Sequence, residues 1–267
     1  MPSLFADHVV VLRGGGDLAT GVAWRLHQAG FPVIVLELAE PLTVRRRVAL
    51  SEAVHEGVVN VEGMIGRRVE AFDAARDVNR SGDVAVLVSP TLPPGPHAIV
   101  VDARLAKRNI DTKITDASLV VGLGPGFTNG DDCHVVVETM RGPRLGRVIR
   151  DGSATANTGM PGEIDGRAAE RVLRAPIDGV VEWTVDIGSQ VSEKQRLGTV
   201  GTTPITAPFD GSVRGLIRPR TAVSRGLKIG DVDPRGRHVA TDEISDKALA
   251  VGGGVLEAVL AHIAATR

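Results

Sequence analysis

The C-terminal third of the chain contains an internal repeat with a constant offset of 32 residues. Residues 175–181 (APIDGVV) superimpose on residues 207–213 (APFDGSV), and the same offset relates Val191 to Val223, Gly198 to Gly230 and Val200 to Val232. Self-similarity at a fixed spacing indicates one supersecondary unit used twice, each copy too small to bury its own apolar face. Because both copies are short and carry Pro, Asp and Gly, we expect two β-rich halves that pack into a small β sandwich.

This repeat resembles the biotinyl/lipoyl-carrier fold, whose halves also open on an Ala-Pro-x-x-Gly turn and close on a Gly-x-Val strand. Carriers expose a modifiable lysine at the tip that joins the halves. Here that tip reads GTTP (residues 201–204), and Lys194 and Lys228 lie inside the halves. The resemblance implies a carrier-like β domain (a barrel-sandwich hybrid) over residues 166–238 that lacks the modifiable lysine and serves docking or structure.

A glycine-rich turn follows the first apolar run of the chain. Residues 9–12 (VVVL) lead into RGGGDLATG (residues 13–21), after which apolar residues recur at helical spacing, and a second apolar run closes on Glu37. The pattern Gly-x-Gly-x-x-Ala between a strand and a helix predicts a dinucleotide-binding turn, in which backbone amides approach a pyrophosphate. The candidate binding residues are Gly14, Gly15, Gly16, Asp17, Ala19 and Glu37. A tight turn that binds nothing is the alternative.

The acidic residue that closes the second run bears on the kind of nucleotide. A carboxylate at this place in the fingerprint bonds a ribose hydroxyl, and its charge repels a 2'-phosphate. Glu37 therefore favours a nucleotide with a free 2'-hydroxyl. Just beyond it, the three arginines of residues 45–47 are either a phosphate clamp or a solvated basic stretch.

Further apolar runs predict the rest of an α/β domain. They lie at residues 84–88, 98–102, 118–121 and 134–138, and fully apolar short runs are typical of strands in a sheet covered on both faces. With helical connections at residues 51–55 and 68–78, they predict a Rossmann-like parallel sheet over residues 1–165. Apolar spacing near the end predicts a C-terminal helix, within residues 239–267, that packs on this first domain.

A second glycine-rich loop follows the apolar run at residues 118–121. It reads GLGPGFTNGDD (residues 122–132), and so many glycines let the backbone turn its amides toward an anion. Loops that leave the carboxyl ends of strands in a doubly wound sheet converge on one crevice, so both glycine loops would face the same ligand. The candidate residues are Gly122, Gly124, Gly126 and Thr128. The alternative is a turn without a ligand.

Other polar residues show no catalytic spacing, so no catalytic residue is assigned. Asp102 and Lys107 are close enough in sequence to pair across a short loop, and His134 is best interpreted as a hydrogen-bonded strand histidine. Cys133 is the one cysteine of the chain; a lone strand cysteine is typically a small apolar filler. A single cysteine also excludes a multi-cysteine zinc or iron–sulfur site, and no metal site is predicted.

Charge and hydropathy restrict the partners. The net charge is −1, so no summed positive field attracts nucleic acid or an anionic membrane. The first residues lack a basic region followed by an apolar run, and we find no window of about 20 apolar residues. We therefore expect a cytoplasmic protein; a homo-oligomer stays open.

Several motifs together resemble the accessory proteins of the selenium-dependent molybdenum hydroxylase system, over nearly the whole chain. They are RGGGDLATG (13–21), GLGPGFT (122–128), VETMRG (137–142), LGRVI (145–149), NTGMPG (157–162, a candidate hinge), GLKIGDVDPR (226–235) and ISDKA (244–248). The resemblance implies a maturation protein that binds a molybdopterin-type nucleotide cofactor and delivers it to a molybdenum hydroxylase apoenzyme. An NAD-dependent oxidoreductase and a non-catalytic assembly scaffold are the alternatives.

Overall fold

The computed structural model describes residues 5–157, 166–167 and 169–266, which leaves most of the candidate hinge at residues 157–162 outside the described residues. The chain divides into two compact units. The first comprises Met1–Pro41, Ala49–Asn157 and Ile244–Arg267, and the second comprises Leu42–Val48 and Thr158–Glu243. The segment Leu42–Val48, which the sequence places in the first domain, thus groups with the C-terminal repeat.

The first unit contains a nine-stranded mixed sheet. Its strands are β1 (Val10–Arg13), β2 (Val33–Glu37), β3 (Val58–Val61), β4 (Met64–Val69), β5 (Val84–Val88), β6 (Ile99–Asp102), β7 (Leu119–Leu123), β8 (Val135–Val137) and β9 (Val148–Ile149). The order is β3-β4-β5-β2-β1-β6-β7-β8-β9. Strands from β4 to β8 run parallel, and β3 and β9 pair antiparallel at the two edges. The six apolar runs are confirmed as strands, whereas β3, β4 and β9 were not predicted.

The central strands are apolar throughout because both faces of the sheet are covered. Successive side chains of a strand point to opposite faces. Accordingly, Val10 and Leu12 belong to one hydrophobic cluster while Val11, between them, belongs to another. All three side chains are buried.

Within the described residues, four α-helices accompany this sheet: α1 (Asp17–Gln28), α2 (Ala53–Glu56), α3 (Ala75–Arg80) and α4 (Asp246–Thr266). The helix α4 packs closely on α1, since a Cβ atom added to Gly252 would lie 2.5 Å from the carbonyl oxygen of Gly21. The helix predicted at residues 68–78 is confirmed only from Ala75 onward, because residues 68–69 belong to β4. The helix predicted at residues 51–55 is a 3-10 turn over Leu50–Glu52 followed by α2.

The helix α4 corrects one expectation from the sequence. It has 21 residues and a mean hydropathy of 1.7, so by length and composition alone it is apolar enough to cross a membrane. Our statement that no such window exists is wrong. Val251, Val255 and Val259 are nevertheless buried in the core of the first unit, and the core helix of a folded domain passes the same test. The helix is weak evidence for a membrane span.

The second unit contains two four-stranded antiparallel sheets. Its strands are β10 (Val172–Arg174), β11 (Gly179–Trp183), β12 (Gln190–Val191), β13 (Arg196–Val200), β14 (Thr203–Thr206), β15 (Gly211–Leu216), β16 (Ala222–Val223) and β17 (Lys228–Asp233). One sheet has the order β10-β17-β15-β12 and the other β14-β13-β11-β16. Each sheet therefore takes two strands from each copy of the repeat.

The repeat accounts for this interlocking arrangement. The 32-residue offset places β11 on β15, β12 on β16 and β13 on β17. Equivalent residues of the two copies, such as Val181 and Val213, are buried in one shared core. Neither copy could bury these side chains alone, so the two copies depend on each other for a core.

The three arginines at residues 45–47 bond within the second unit. The Arg46 guanidinium donates to the carbonyl oxygen of Leu216 at 2.8 Å, and that of Arg45 donates to the carbonyl oxygen of Glu243 at 3.2 Å. Arg47 forms an ion pair with Asp242 at 3.2 Å. These contacts attach Leu42–Val48 to the second unit. Arg45 and Arg46 bond to backbone carbonyls and are not a solvated stretch, whereas Arg47 is exposed.

Candidate nucleotide-binding site

The first glycine turn starts at the carboxyl end of β1. Gly14 has φ +102°, a region that residues with a side chain rarely adopt. A Cβ atom at Gly14 would lie 3.2 Å from the backbone of Ala103 and Arg104, directly after β6. The Gly14 amide donates to the carbonyl oxygen of Leu36 at 2.8 Å. The backbone therefore passes so close to its neighbours that glycine is required here.

Glu37, at the end of β2, points into this turn. One carboxylate oxygen accepts a hydrogen bond from the Gly15 amide at 2.7 Å, and the other accepts one from the Leu38 amide at 2.7 Å. Burial raises the pKa of Glu37, although both hydrogen bonds act to lower it. The Gly15 amide is thus already bonded, while each carboxylate oxygen keeps a lone pair that can accept a further donor, such as a ribose hydroxyl.

The start of α1 offers unpaired backbone donors. Gly16 occupies the N-cap position with φ −67° and provides no side-chain cap. The first helical hydrogen bond runs from the Thr20 amide to the Gly16 carbonyl at 2.8 Å, and the first amides of any α-helix lack a partner within the helix. In the described part of the chain, the amides of Gly16, Leu18 and Ala19 have no hydrogen-bond partner. Together with the helix dipole, they suit an anion.

One side of the turn is covered by residues that the sequence analysis did not connect with it. The Ser51 amide donates to the Gly15 carbonyl at 2.9 Å, and the Leu50 amide donates to the Thr20 hydroxyl at 2.9 Å. That hydroxyl in turn donates to the Gly16 carbonyl at 2.9 Å. These bonds hold the turn in one conformation, and Gly16 and Asp17 remain partly exposed.

The glycines of the second loop lie against the protein itself. Gly122 is the fourth residue of β7, and a Cβ atom there would collide with the Phe127 ring. Gly124 (φ +75°) faces the Thr139 side chain in the same way, and Gly126 (φ +105°) faces the Arg108 backbone. The space beside these three glycines is filled by neighbouring atoms of the chain.

Backbone donors of the second loop are also largely engaged. The Gly124 amide donates to the Val137 carbonyl at 2.9 Å, and the Thr128 amide donates to the Asp132 carboxylate at 2.9 Å. The Thr128 hydroxyl lies 3.0 Å from that of Ser153. The loop therefore has fewer amides available for an anion than its glycine content suggests.

Both glycine loops lie at the carboxyl ends of the strands, on the same side of the sheet, because β1 and β7 are parallel strands that flank β6. Strands in a sheet are spaced by about 4.8 Å, so β1 and β7 are separated by about 10 Å. The connection after β6 lies between the loops: Ala103 borders Gly14, and Arg108 borders Gly126. The structure thus brings the loops together at one edge and places this connection between them.

A polar network occupies this connection. The Arg13 guanidinium, 3% exposed, donates to the Thr112 hydroxyl at 2.7 Å and pairs with Asp111 at 2.8 Å. Arg104 pairs with Asp102 at 2.5 Å and with Asp111 at 2.8 Å. Although burial acts to raise it, the hydrogen bonds from Arg13 and Arg104 lower the pKa of Asp111. With two arginines and two aspartates, the network balances its own charge.

Sequence reasoning missed this network because its members are far apart in the chain: Arg13 and Asp111 are separated by 98 residues. No local spacing signals such a pair. The expected pair between Asp102 and Lys107 is wrong, because Asp102 is buried at the end of β6 and bonds with Arg104 and Thr112.

His134 and Cys133, beside the second loop, both contribute to the fold. The prediction for His134 is confirmed, since its Nδ1 accepts a hydrogen bond from the Val120 amide at 3.0 Å. Cys133 is fully buried in an apolar cluster, and burial raises the pKa of its thiol to about 11. A thiol in this state stays protonated near neutral pH, as expected of an apolar filler. Among the residues described, no group of three His, Cys, Asp or Glu side chains could hold a metal ion.

Comparison with known proteins identifies one clear relative. Over 263 residues the chain is 46% identical to the uncharacterized protein YqeB of Escherichia coli (strain K12), an alignment that covers 97% of this chain and 49% of YqeB. The chain is YqeB-like. It spans about half the length of YqeB. No family model matches the chain.

Solved structures show only distant likeness. A succinylglutamate desuccinylase/aspartoacylase from Rhodobacter sphaeroides is 27% identical over 32% of this chain and 30% of its own, with a TM-score of 0.22. An aspartoacylase family protein from Mesorhizobium loti is 12% identical over 84% of each chain, with a TM-score of 0.27. At TM-scores this low, the likeness supports no inference about fold or activity.

Proposed function

We propose that the first unit is a Rossmann-like domain that binds the pyrophosphate of a nucleotide at the start of α1. The observation that carries the proposal is the set of free amides at Gly16, Leu18 and Ala19, which follow a parallel strand and a glycine turn. An anion there is stabilised by direct hydrogen bonds and by the helix dipole.

The strand order supports this interpretation. The run β5-β2-β1-β6-β7-β8 corresponds to the order 3-2-1-4-5-6 of dinucleotide-binding sheets. In such sheets the ligand binds beyond the carboxyl ends of the strands, at the point where the order reverses. Here that point lies between β1 and β6, where Gly14 borders Ala103 and Arg104.

Glu37 fixes the expected class of nucleotide. Its carboxylate lies within hydrogen-bond distance of the turn and bonds the ribose hydroxyl of a nucleotide whose pyrophosphate sits on α1. A 2'-phosphate in the same place would meet a negative charge at contact distance. We therefore infer a nucleotide with a free 2'-hydroxyl. The amides of Gly124 and Thr128 in the second loop already donate hydrogen bonds within the protein, so we assign this loop to the wall of the crevice.

The resemblance in sequence supports a molybdopterin-type nucleotide as the ligand and delivery to a molybdenum hydroxylase apoenzyme as the role. In this proposal the second unit, a carrier-like barrel-sandwich hybrid whose joining tip has no lysine, docks the partner enzyme. NAD binding by an oxidoreductase is the second candidate, because the same free amides suit its pyrophosphate. A non-catalytic scaffold is the third.

The substitution Gly16→Asp tests the site with a residue that the backbone conformation allows. The φ of −67° at Gly16 accommodates a side chain, and aspartate is a preferred N-cap residue whose carboxylate accepts hydrogen bonds from the next amides. We expect unchanged or slightly higher thermal stability and at least tenfold weaker binding of CDP, ADP or NADH in calorimetry. Equal affinity in the variant overturns the proposed site.

Gly253→Asp is the matched control, because it adds the same charge at a glycine of α4 with open space around it. It should leave nucleotide affinity within twofold of the wild type. Mass spectrometry of small molecules released from the native protein then separates the candidates. A pterin nucleotide supports the proposed role, NAD supports an oxidoreductase, and partner co-purification without any nucleotide supports a scaffold.

A further inference from the structure

An open pocket lies at the β9 edge of the large sheet, and no step of the proposed function uses it. It has a cavity volume of about 640 Å³ and is lined by Pro143, Arg144, Arg147, Val148, Ile149, Arg150 and Asp151. A volume of this size suits a small-molecule ligand. The pocket includes most of the LGRVI motif at residues 145–149.

The lining carries an excess of positive charge. Arg144, Arg147 and Arg150 contribute three guanidinium groups, and Asp151 is the acidic residue of the lining. Among the residues that the structure describes, none of the three arginines has an acidic partner within ion-pair distance. Guanidinium groups match the geometry of phosphate oxygens through paired N–H donors. The pocket thus has net positive charge and donors of the right kind for a multivalent anion.

The backbone that carries these arginines is held firmly in place. Gly146 has φ +77°, and its backbone packs directly against the α4 backbone at Ala250 and Gly254. Its amide donates to the Glu138 carbonyl at 2.9 Å, and the Arg147 amide donates to the Arg144 carbonyl at 3.0 Å. The Arg141–Asp246 ion pair adds a further attachment to α4 at 2.7 Å. Anchoring of this kind lowers the entropy cost of binding a ligand.

We propose that this pocket is a second anion site, which binds a phosphate group of a small molecule through Arg144, Arg147 and Arg150. The ligand class is a pyrophosphate or a phosphorylated metabolite. The short lining, nine consecutive residues at most, and the apolar contribution of Val148 and Ile149 favour a compact ligand over an extended acidic polypeptide. The whole chain has a net charge of −1, so the excess of positive charge is confined to the pocket and is not a general feature of the protein.

The test is a calorimetric titration with sodium pyrophosphate at fixed ionic strength. All proteins carry Gly16→Asp, so that anion binding at α1 does not contribute. The binding variant is R144A/R147A/R150A. The control variant R76A/R196A/R225A removes three exposed arginines that do not line the pocket, so both variants have the same net charge.

We expect the binding variant to lose at least tenfold in pyrophosphate affinity and the control to change less than twofold. Orthophosphate should bind more weakly than pyrophosphate in the same pocket. No pyrophosphate binding by the parent protein, equal affinity in the binding variant, or an equal loss in the control each overturns the proposal. Hexaglutamate binding that depends on the three arginines, without pyrophosphate binding, would also overturn it and would indicate an acidic protein partner.

Discussion

The Glu37 carboxylate accepts a hydrogen bond from the Gly15 amide at 2.7 Å, which joins the end of β2 to the turn after β1. Sequence spacing predicts that these residues serve one ligand, and the structure shows that they also hold each other. Because Glu37 is buried as well as bonded, its pKa is raised from the ordinary value of 4.5. Folding therefore raises the pH at which this carboxyl loses its proton, relative to the unfolded chain.

Glu37→Gln tests that relationship through pH. A raised folded pKa contributes stability that is present below the unfolded pKa and is lost as the pH rises through the folded pKa. The free energy of unfolding of the wild type should therefore decline relative to Glu37→Gln as the pH rises above 4.5. Urea unfolding at several pH values between 4 and 8 measures this. A difference that is constant, or that grows in favour of the wild type, contradicts the account.

Glu138, at the end of β8, should behave in the opposite way. Burial acts to raise its pKa, but hydrogen bonds from Thr155, Met140 and Thr139 at 2.6 to 2.9 Å outweigh burial and lower it. A lowered folded pKa contributes stability above the unfolded pKa that is lost as the pH falls through the folded pKa. Glu138→Gln should cost about 2 kcal/mol near pH 7, and the cost should shrink below pH 4.5.

The exposed Glu257 on α4 provides the control for this experiment. Glu257→Gln should change the free energy of unfolding by less than about 0.5 kcal/mol at any pH. A Glu138→Gln cost that persists unchanged at pH 3 would show that the loss comes from packing and not from the charge of the carboxylate.

The glycines of the second loop can be tested as packing residues. Gly126 (φ +105°) lies against the Arg108 backbone, whereas Gly130 (φ +86°) has nothing within 4 Å. Gly130→Ala should cost about 1 kcal/mol from backbone strain alone, and Gly126→Ala should cost a further 1 to 3 kcal/mol or so from overpacking. Thermal or urea unfolding measures both. An equal loss of stability in the two variants would show that the space beside Gly126 is not filled by the chain and could hold a ligand.

Arg13 should be essential for stability. It is 3% exposed and bonds with Thr112 and Asp111. Arg13→Met would remove both bonds and leave the two aspartates of the network with one arginine, at a cost of about 3 kcal/mol. Arg76→Met, on the exposed side of α3, should stay within about 0.5 kcal/mol. A loss below 1 kcal/mol for Arg13→Met would show that the network contributes little to the fold.

How much the sequence predicted depended on whether the signal was local. The 32-residue repeat and the apolar runs are local patterns, and the strands that they predicted are present. The hairpin of β3 and β4 was missed because its turn reads Glu62-Gly63. Both residues have positive φ, as in a type I' turn, but Glu is uncommon at that position. The strand Val58–Val61 is also largely exposed, so its sequence gives a weaker strand signal than the apolar runs of the buried strands.

The site was harder to predict because it depends on contacts between distant segments. The glycines at 122, 124 and 126 predicted an anion-binding loop, but Phe127, Thr139 and Arg108 fill the space beside them. No spacing in the sequence shows whether a glycine leaves room for a ligand or for a neighbouring part of the chain. The free amides at α1, in contrast, follow from the strand–turn–helix pattern itself.

Backbone amide chemical shifts test the central claim most directly. A titration of the ¹⁵N-labelled protein with CDP or NADH, followed by ¹H–¹⁵N correlation spectra, reports on each amide separately. We predict that the amides of Gly16, Leu18 and Ala19 shift with saturable behaviour, while those of Gly124 and Thr128 change little. Unchanged shifts at the start of α1 under saturating nucleotide, or changes confined to the second loop, would contradict a pyrophosphate site on this helix.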